Sequence, residues 1–145
     1  LPIYLPQQPR VAFKCSNPQS DWNAMKVFKQ FTFDVAHQLP DWPGLHGHSY
    51  TAEVWFEGPA TDGYVVPESL LSTTVEAVRK QLDHRYLNDL IELPTSENIA
   101  RWIWDQLAPQ GPLIKVRVFR GSIGFGVEFD LADAVAEGRV SHRGA

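Results

Sequence analysis

Hydrophobic and polar residues alternate along two stretches of the chain, 26–37 and 46–57, and this alternation predicts two β-strands. Between them, 38–45 is rich in proline and glycine and is expected to form a loop, and the segment GPATDG after the second strand is expected to form a turn. Apolar residues then recur at helical spacing over 68–82, which predicts a helix that buries Leu71, Val75, Val78 and Leu82.

A second helix is predicted to begin at the segment PTSEN and to end near Leu107. Thr95 or Ser96 is the expected N-cap, and Glu97 suits the positive end of the helix dipole. This helix is expected to bury Ile99, Trp102, Ile103 and Leu107. The segment LIKVRVF predicts a third strand and 124–130 a fourth. The order ββααββ predicts an α+β fold, an antiparallel four-stranded sheet with two helices on one face.

The two ends of the chain differ from this patterned region. Three prolines fall within the first nine residues, and we expect an N-terminal extension over 1–24, one domain over 25–130 and a C-terminal tail over 131–145 without a clear pattern. Met25 is the only methionine, which slightly favours an added segment before it. A genuine N-terminal arm that packs on the surface or on a neighbour is the alternative.

Composition narrows the classes of function. The 145 residues have a formal net charge of −4 and no basic stripe, which argues against nucleic-acid binding. No apolar run approaches the length that spans a bilayer, so no membrane partner is expected. Cys15 is the only cysteine, which excludes an internal disulfide and fits a reducing, cytoplasmic compartment.

Three histidines fall on the apolar faces of the first two predicted strands. His37 shares one side of its strand with Phe31, Phe33 and Val35, and His46 and His48 share one side of the next strand with Tyr50. A single histidine in such a position is more often a hydrogen-bonded core residue than a ligand. Three that point into the same interior favour a zinc ion held by three nitrogens with a fourth position open.

Two further places in the sequence offer possible chemistry. Asp83 and His84 are adjacent just after the first helix, where the aspartate can orient the imidazole for proton transfer. Ordinary polar residues at a helix end are the alternative. Arg120 ends the third strand on the face of Ile114, Val116 and Val118, so it either extends to solvent or meets an anion from the protein or a ligand.

Four ordered motifs, FTFDVAHQLP, LHGHSY, LDHRYLND and PTSENIARWIWDQL, resemble those of 6-pyruvoyl-tetrahydropterin synthase and 6-carboxy-tetrahydropterin synthase, the latter of the queuosine pathway. The resemblance covers about 25–129. It implies a tunnelling fold (T-fold) and a homohexamer built as a dimer of trimers, with active sites between subunits. By position it implies zinc ligands at His37, His46 and His48, a proton-transfer dyad at Asp83 and His84, and pterin-pocket residues at Thr95, Ser96 and Glu97.

Two of the chain's departures from that family concern expected functional residues. The family places a cysteine base shortly before the HGH pair, whereas QLPDWPGLHGH contains no cysteine and has Asp41 and Trp42 at about that point. Asp41 is a candidate replacement for the base, with a plain surface aspartate as the alternative. The family also places a glutamate after the third strand to bind the amino-pyrimidine edge of the pterin, and Arg120 stands there in this chain.

These features predict a zinc-dependent lyase of the pterin synthase type with altered specificity. Its expected substrate resembles dihydroneopterin triphosphate or another pterin- or purine-related small molecule, with Arg120 among the substrate-binding residues and Asp41 among the catalytic ones. The alternative is a catalytically impaired relative that keeps zinc and the fold as a small-molecule binder or scaffold.

Overall fold

The computed structural model describes residues 24–60 and 62–140. The predicted extension therefore falls almost wholly outside the described residues, as do Cys15 and His142. Two long strands, β1 (Ala24–Leu39) and β2 (Trp42–Pro59), form an antiparallel hairpin that is followed by the helix α1 (Glu68–Leu82). The predicted loop over 38–45 is wrong, because both strands continue into it and leave only a tight turn at Pro40 and Asp41.

The second half of the chain adds the short strand β3 (Arg85–Tyr86), the helix α2 (Ser96–Leu107), the strands β4 (Leu113–Arg120) and β5 (Phe125–Asp130), and the helix α3 (Leu131–Ala136). The α+β class and the ββααββ order are as predicted, and the structure adds one strand and one helix. The sheet order is β3-β1-β2-β4-β5, with β3 parallel to β1 and the other pairs antiparallel.

The core lies between one face of this sheet and the helices. Odd-numbered residues of β1 from Phe31 to His37 are buried and the alternating residues of β2 from Tyr50 to Phe56 are buried with them, as period-two patterning requires. Helix α1 buries the predicted residues Leu71, Val75, Val78 and Leu82, and α2 buries Ile99, Ile103 and Leu107, whereas Trp102 is only half-buried. The three histidine positions therefore lie at one end of a closed apolar layer.

The segment after β5 is ordered by polar contacts. A capping box at the start of α3 joins the Asp130 side chain to the Asp133 amide and the Asp133 side chain to the Asp130 amide, at 2.9 and 3.0 Å. Arg101 of α2 then pairs with Glu137 at 2.8 Å. These contacts fix the first part of the predicted tail against α2.

Within the described parts of the chain, none of the helices combines the length and apolar character needed to cross a bilayer.

Candidate metal centre

The predicted histidines converge at the end of the β1–β2 hairpin. His37 and His46 are direct cross-strand partners, and His48 lies two residues further along β2 on the same face. One ring nitrogen from each histidine can be chosen so that all three atoms lie within 4.8 Å of one another. His37 is only 1% exposed, while the other two are half-buried and open the cluster to one side.

Hydrogen bonds orient two of the rings with Nε2 facing inward. His37 Nδ1 lies 3.0 Å from the carbonyl oxygen of Pro94, and His46 Nδ1 lies 3.3 Å from that of Gly44. A carbonyl accepts, so each Nδ1 carries the proton and each Nε2 presents a lone pair. These two Nε2 atoms are 3.0 Å apart. At that distance the two nitrogens either share a proton in a hydrogen bond or bind a common cation, and a third imidazole on the same face makes the donor set fit a metal ion.

The separation of these two nitrogens is compatible with tetrahedral coordination of a metal ion such as zinc. Tetrahedral coordination with Zn–N bonds of about 2.0–2.1 Å places pairs of ligand nitrogens about 3.3 Å apart, close to the observed spacing. The carbonyl oxygens of Pro94 and Gly44 then act as the outer partners that hold ligating imidazoles in one tautomer and orientation.

Burial keeps the cluster in the protonation state that a metal requires. Burial, with a smaller contribution from the positive charge of Arg120, lowers the pKa of His48 to about 4. Burial likewise lowers the pKa of His37, although its hydrogen bond to Pro94 opposes the shift. Both rings are therefore neutral at pH 7 and available as ligands.

Gly47, between the two histidines of β2, is needed for the close approach of the two strands. A Cβ atom at this position would lie 2.9 Å from the carbonyl oxygen of Val35. Any side chain would push β2 away from β1 at the point where His37 and His46 meet. The glycine of the HGH motif thus has a packing role beside the two ligand candidates.

The remaining predicted residues divide into two groups, of which the first surrounds the histidines. Arg120 and Asp41 both lie close enough for their charges to act on the pKa of His37, and Asp41 is exposed in the hairpin turn. The Trp42 ring lies 5.9 Å from the His46 ring. Thr95 caps α2, as predicted, by accepting a hydrogen bond from the Asn98 amide at 3.2 Å.

Tyr50 connects the start of α2 to this group. Burial raises the pKa of Tyr50, and a hydrogen bond with the side chain of Ser96 partly opposes that rise. The negative charge of Glu97 and the positive charge of Arg120 also act on the Tyr50 hydroxyl. The Tyr50 ring lies 6.4 Å from the His37 ring and 6.0 Å from the His48 ring, so Ser96 is linked to the histidine cluster through Tyr50.

Asp83 and His84 form the second group, at the edge of the sheet. The Asp83 carboxylate contacts His84 Nδ1 at 2.9 Å, so the predicted pair is formed. It also accepts a hydrogen bond from the Asp34 amide at 2.9 Å and one from Arg79 at 3.0 Å. The backbone of His84 is in the left-handed region (φ 58°), and its side chain is 77% exposed. No contact among the described residues links this pair to the three histidines.

The fold and this site define an α+β protein that presents, from neighbouring strands of one sheet, a cluster of three histidines that could hold a metal ion. Residues 26–129 match the family model for 6-pyruvoyl tetrahydropterin synthase. The chain belongs to this family. The resemblance stated from the four sequence motifs is thereby confirmed.

Individual relatives agree with this assignment. The chain is 37% identical over 111 residues to a dihydroneopterin monophosphate aldolase of Pyrococcus furiosus, covering 72% of this chain and 96% of that protein. It is 39% identical over 98 residues to a 6-carboxy-5,6,7,8-tetrahydropterin synthase of Synechocystis, covering 59% and 76%. A solved structure of the Caenorhabditis elegans 6-pyruvoyl tetrahydropterin synthase superposes with a TM-score of 0.64 at 21% identity, over 74% of this chain and 95% of that one. The fold is the tunnelling fold.

Sequence reasoning did not find the contacts that orient the site residues. The Pro94 carbonyl, which accepts from His37, has no side-chain pattern to reveal it. The ion pair between Arg79 and Asp83 was also missed, although residues four apart on a helix are at a spacing where ion pairs form.

Proposed function

We propose that the protein is a zinc-dependent aldolase that cleaves the three-carbon side chain of a dihydroneopterin phosphate. The observation that carries this proposal is a three-histidine cluster whose adjoining hairpin, 38–45, contains no cysteine. The relative from Pyrococcus furiosus, whose length is almost fully matched, is an aldolase for dihydroneopterin monophosphate. Family membership in turn supports a pterin as the ligand.

The missing cysteine favours C–C cleavage over the synthase reaction. Abstraction of a carbon-bound proton demands a strong, closely placed base such as a thiolate. A retro-aldol reaction begins instead with a hydroxyl proton, which is far more acidic and needs only a modest base. A zinc ion held by His37, His46 and His48 would polarise that hydroxyl and lower its pKa. Asp41, whose charge in the hairpin turn acts on the pKa of His37, is the proposed acceptor of the proton.

The proposed reaction balances without a co-reactant. The proton on the C2′ hydroxyl passes to Asp41, the C1′–C2′ bond breaks, and C2′ becomes the aldehyde carbon of glycolaldehyde phosphate. The electron pair of the broken bond is accepted by the C6=N5 imine of the dihydropterin. C1′ then takes a proton, which gives 6-hydroxymethyl-7,8-dihydropterin.

His84 is the proposed donor of the proton to C1′. Its ring is exposed and is oriented by Asp83, whose own carboxylate is held by Arg79 and by the Asp34 amide. Since no contact among the described residues links His84 to the histidine cluster of its own chain, we place it at the pterin of a neighbouring subunit. The proposal therefore includes an oligomer, with the dimer of trimers implied by the family resemblance as the expected form.

The test is product analysis with zinc-loaded protein and 7,8-dihydroneopterin 3′-monophosphate. We expect 6-hydroxymethyl-7,8-dihydropterin and glycolaldehyde phosphate in equal amounts, detected by mass spectrometry. His46→Ala should lose bound zinc and turnover together. His84→Ala should keep zinc but lower kcat by about 10²–10⁴-fold, the usual contribution of a positioned acid. Thr73→Ala, on the exposed face of α1, is the matched control and should leave both unchanged.

Three results would overturn the proposal. Full turnover after removal of zinc with a chelator would exclude the metal-assisted route. Conversion of dihydroneopterin triphosphate to a pyruvoyl or carboxy product, with no cleavage of the monophosphate, would identify a synthase. The protein could also bind a pterin tightly, with an affinity that His84→Ala does not change, and turn over neither substrate. It would then be a small-molecule binder and not an enzyme, as the missing cysteine and glutamate also suggest.

A further inference from the structure

Arg120 differs from the other half-buried arginines in its surroundings. Arg79, Arg101 and Arg117 each pair with a carboxylate at 2.8–3.0 Å. Arg120 is also half-buried, yet it forms no ion pair or side-chain hydrogen bond with any residue of 24–60 or 62–140. A guanidinium that is partly withdrawn from water and lacks a protein acceptor is suited to receive an anion from a ligand.

The strand register aims Arg120 at the histidine cluster. Thr51 pairs with Phe119, so the next position along β4 places Arg120 across from Tyr50, on the face that bears His46 and His48. The guanidinium and the imidazoles therefore border one space.

That space combines two sources of positive charge. The three histidines would hold a divalent cation, so a loaded site would have the cation and the Arg120 guanidinium on the same face of the sheet. Asp41 and Glu97 act on this region, but neither forms an ion pair with Arg120 among the described residues. A dianionic ligand group would compensate both charges, and the guanidinium fork matches the oxygens of a phosphate in a bidentate arrangement.

We propose that Arg120 binds the phosphomonoester of a phosphorylated pterin side chain and so makes the site selective for phosphorylated ligands. This inference rests on the proposed function, because it places the ligand's side chain at the metal. In a 3′-phosphate the phosphorus is attached through one oxygen to the carbon next to C2′. The phosphate and the pterin ring lie on opposite sides of C2′, so a side chain held at the metal can direct its phosphate towards Arg120 and its ring away from it. A guanidinium only donates hydrogen bonds, so Arg120 cannot bind the amino-pyrimidine edge as the family's glutamate does, whereas it can bind a phosphate.

The test compares the binding of neopterin and neopterin 3′-monophosphate, oxidised fluorescent compounds that keep the full side chain. We expect zinc-loaded wild-type protein to bind the monophosphate at least about 20-fold more tightly, the range of a charge-assisted hydrogen bond. Arg120→Gln should reduce that ratio to below about 3-fold while leaving the affinity for neopterin unchanged, and Arg120→Lys should retain part of it as a point charge. Lys115→Gln removes one positive charge from the other face of β4 and should preserve the wild-type ratio.

The outcomes separate this inference from the proposed function. If Arg120→Gln weakens both compounds equally, Arg120 contacts the pterin ring or supports the fold, and the inference is wrong. Circular dichroism and zinc content show whether Arg120→Gln has a folding defect. If it does, the inference is tested by whether Arg120→Lys retains part of the preference for neopterin 3′-monophosphate over neopterin. If the phosphate preference depends on Arg120 but no substrate is cleaved, the inference holds and the aldolase proposal fails. If dihydroneopterin and its monophosphate are cleaved with equal efficiency, the aldolase proposal holds and the inference about Arg120 is wrong.

Discussion

At His48, burial and the neighbouring charge of Arg120 act in the same direction, and together they lower the pKa of the imidazole to about 4. The unfolded chain has no such environment, and its histidine titrates near 6.5. At a pH between these two pKa values, His48 is largely protonated in the unfolded state and largely neutral in the folded state. The cluster that prepares the protein for a metal therefore makes the metal-free fold sensitive to acid.

Metal-free protein should lose stability as the pH falls from 7 to 5 and stay nearly constant from pH 7 to 8. For His48 alone the expected loss in the free energy of unfolding is at most about 2 kcal/mol, because the shift spans that interval and the side chain is only half-buried. His37 adds a loss of the same sign, since burial lowers its pKa as well. Urea denaturation in the presence of a chelator measures both contributions.

His48→Gln isolates the contribution of one residue. This variant should show a shallower loss between pH 7 and 5 than the wild type, and the two proteins should have parallel profiles above pH 7. An unchanged slope in His48→Gln would contradict the assigned pKa.

The convergence of the three histidines could be predicted from the sequence because it depends on local geometry. Side chains alternate along a strand, so His46 and His48 share a face wherever the strand goes. The group that accepts a hydrogen bond from His37 Nδ1 could not be predicted in this way. The Pro94 carbonyl is 57 residues away, and it reaches the ring only because α2 docks against the sheet. Contacts of this kind depend on tertiary packing, which a pattern of residue types does not encode.

At the scale of elements, the start of α2 connects helix stability to the metal centre. Pro94 ends the preceding loop and accepts from His37, and Thr95 follows as the N-cap. Ser96 and Glu97 then begin the helix and face Tyr50. A change in the cap therefore moves the backbone that orients one of the proposed ligands.

Thr95→Ala should destabilise the protein and weaken metal binding together. Loss of the hydrogen bond from the Asn98 amide is expected to cost about 1 kcal/mol in the free energy of unfolding. Zinc affinity, measured by competition with a chromophoric chelator, should fall because the Pro94 carbonyl is no longer fixed. Thr95→Ser keeps the capping oxygen and should retain both properties.

Thr73→Ala is the control for the Thr95 substitution. Thr73 lies on the exposed face of α1, where its hydroxyl donates only to the Ser69 carbonyl of its own helix. Its replacement should change stability by less than about 0.5 kcal/mol. A loss in Thr95→Ala no larger than in Thr73→Ala would show that the cap does not stabilise α2.

Helices and strands with a long periodic pattern of apolar residues were predicted well, whereas elements too short to show such a pattern were missed. Helix α1 begins and ends where its apolar spacing indicates, because five buried positions define its face. The two residues of β3 are too few to show any period, and they pair with β1 only through tertiary contact. Pro43 and Gly44 predicted a loop, yet β2 runs through them at the exposed end of the hairpin, where a missing amide donor costs little.

At the scale of the whole molecule, the outer edge of β1 is open over most of its length. The Asp34 amide and carbonyl both point away from β2, since they bond to the Asp83 carboxylate at 2.9 Å and the His84 amide at 2.6 Å. Backbone groups alternate along a strand, so the other even-numbered residues of β1 also direct their amides outward. Among the described residues, β3 pairs only with Val35 and Ala36, and the other edge of the sheet, β5, is open on its outer side. Open edges of this kind are templates for pairing with another chain.

This geometry predicts that a single proline can separate assembly from folding. We expect the wild-type protein to have a mass near six times 16.4 kDa by native mass spectrometry, as the dimer of trimers requires. Thr32→Pro removes an outward amide and should reduce the mass while the circular dichroism spectrum is retained, because β1 still pairs with β2. Lys29→Pro removes an amide directed at β2 and should lower thermal stability instead. An unaltered mass in folded Thr32→Pro would show that subunits do not join through this edge, and a monomeric wild type would remove the interface that brings His84 to a neighbouring metal centre.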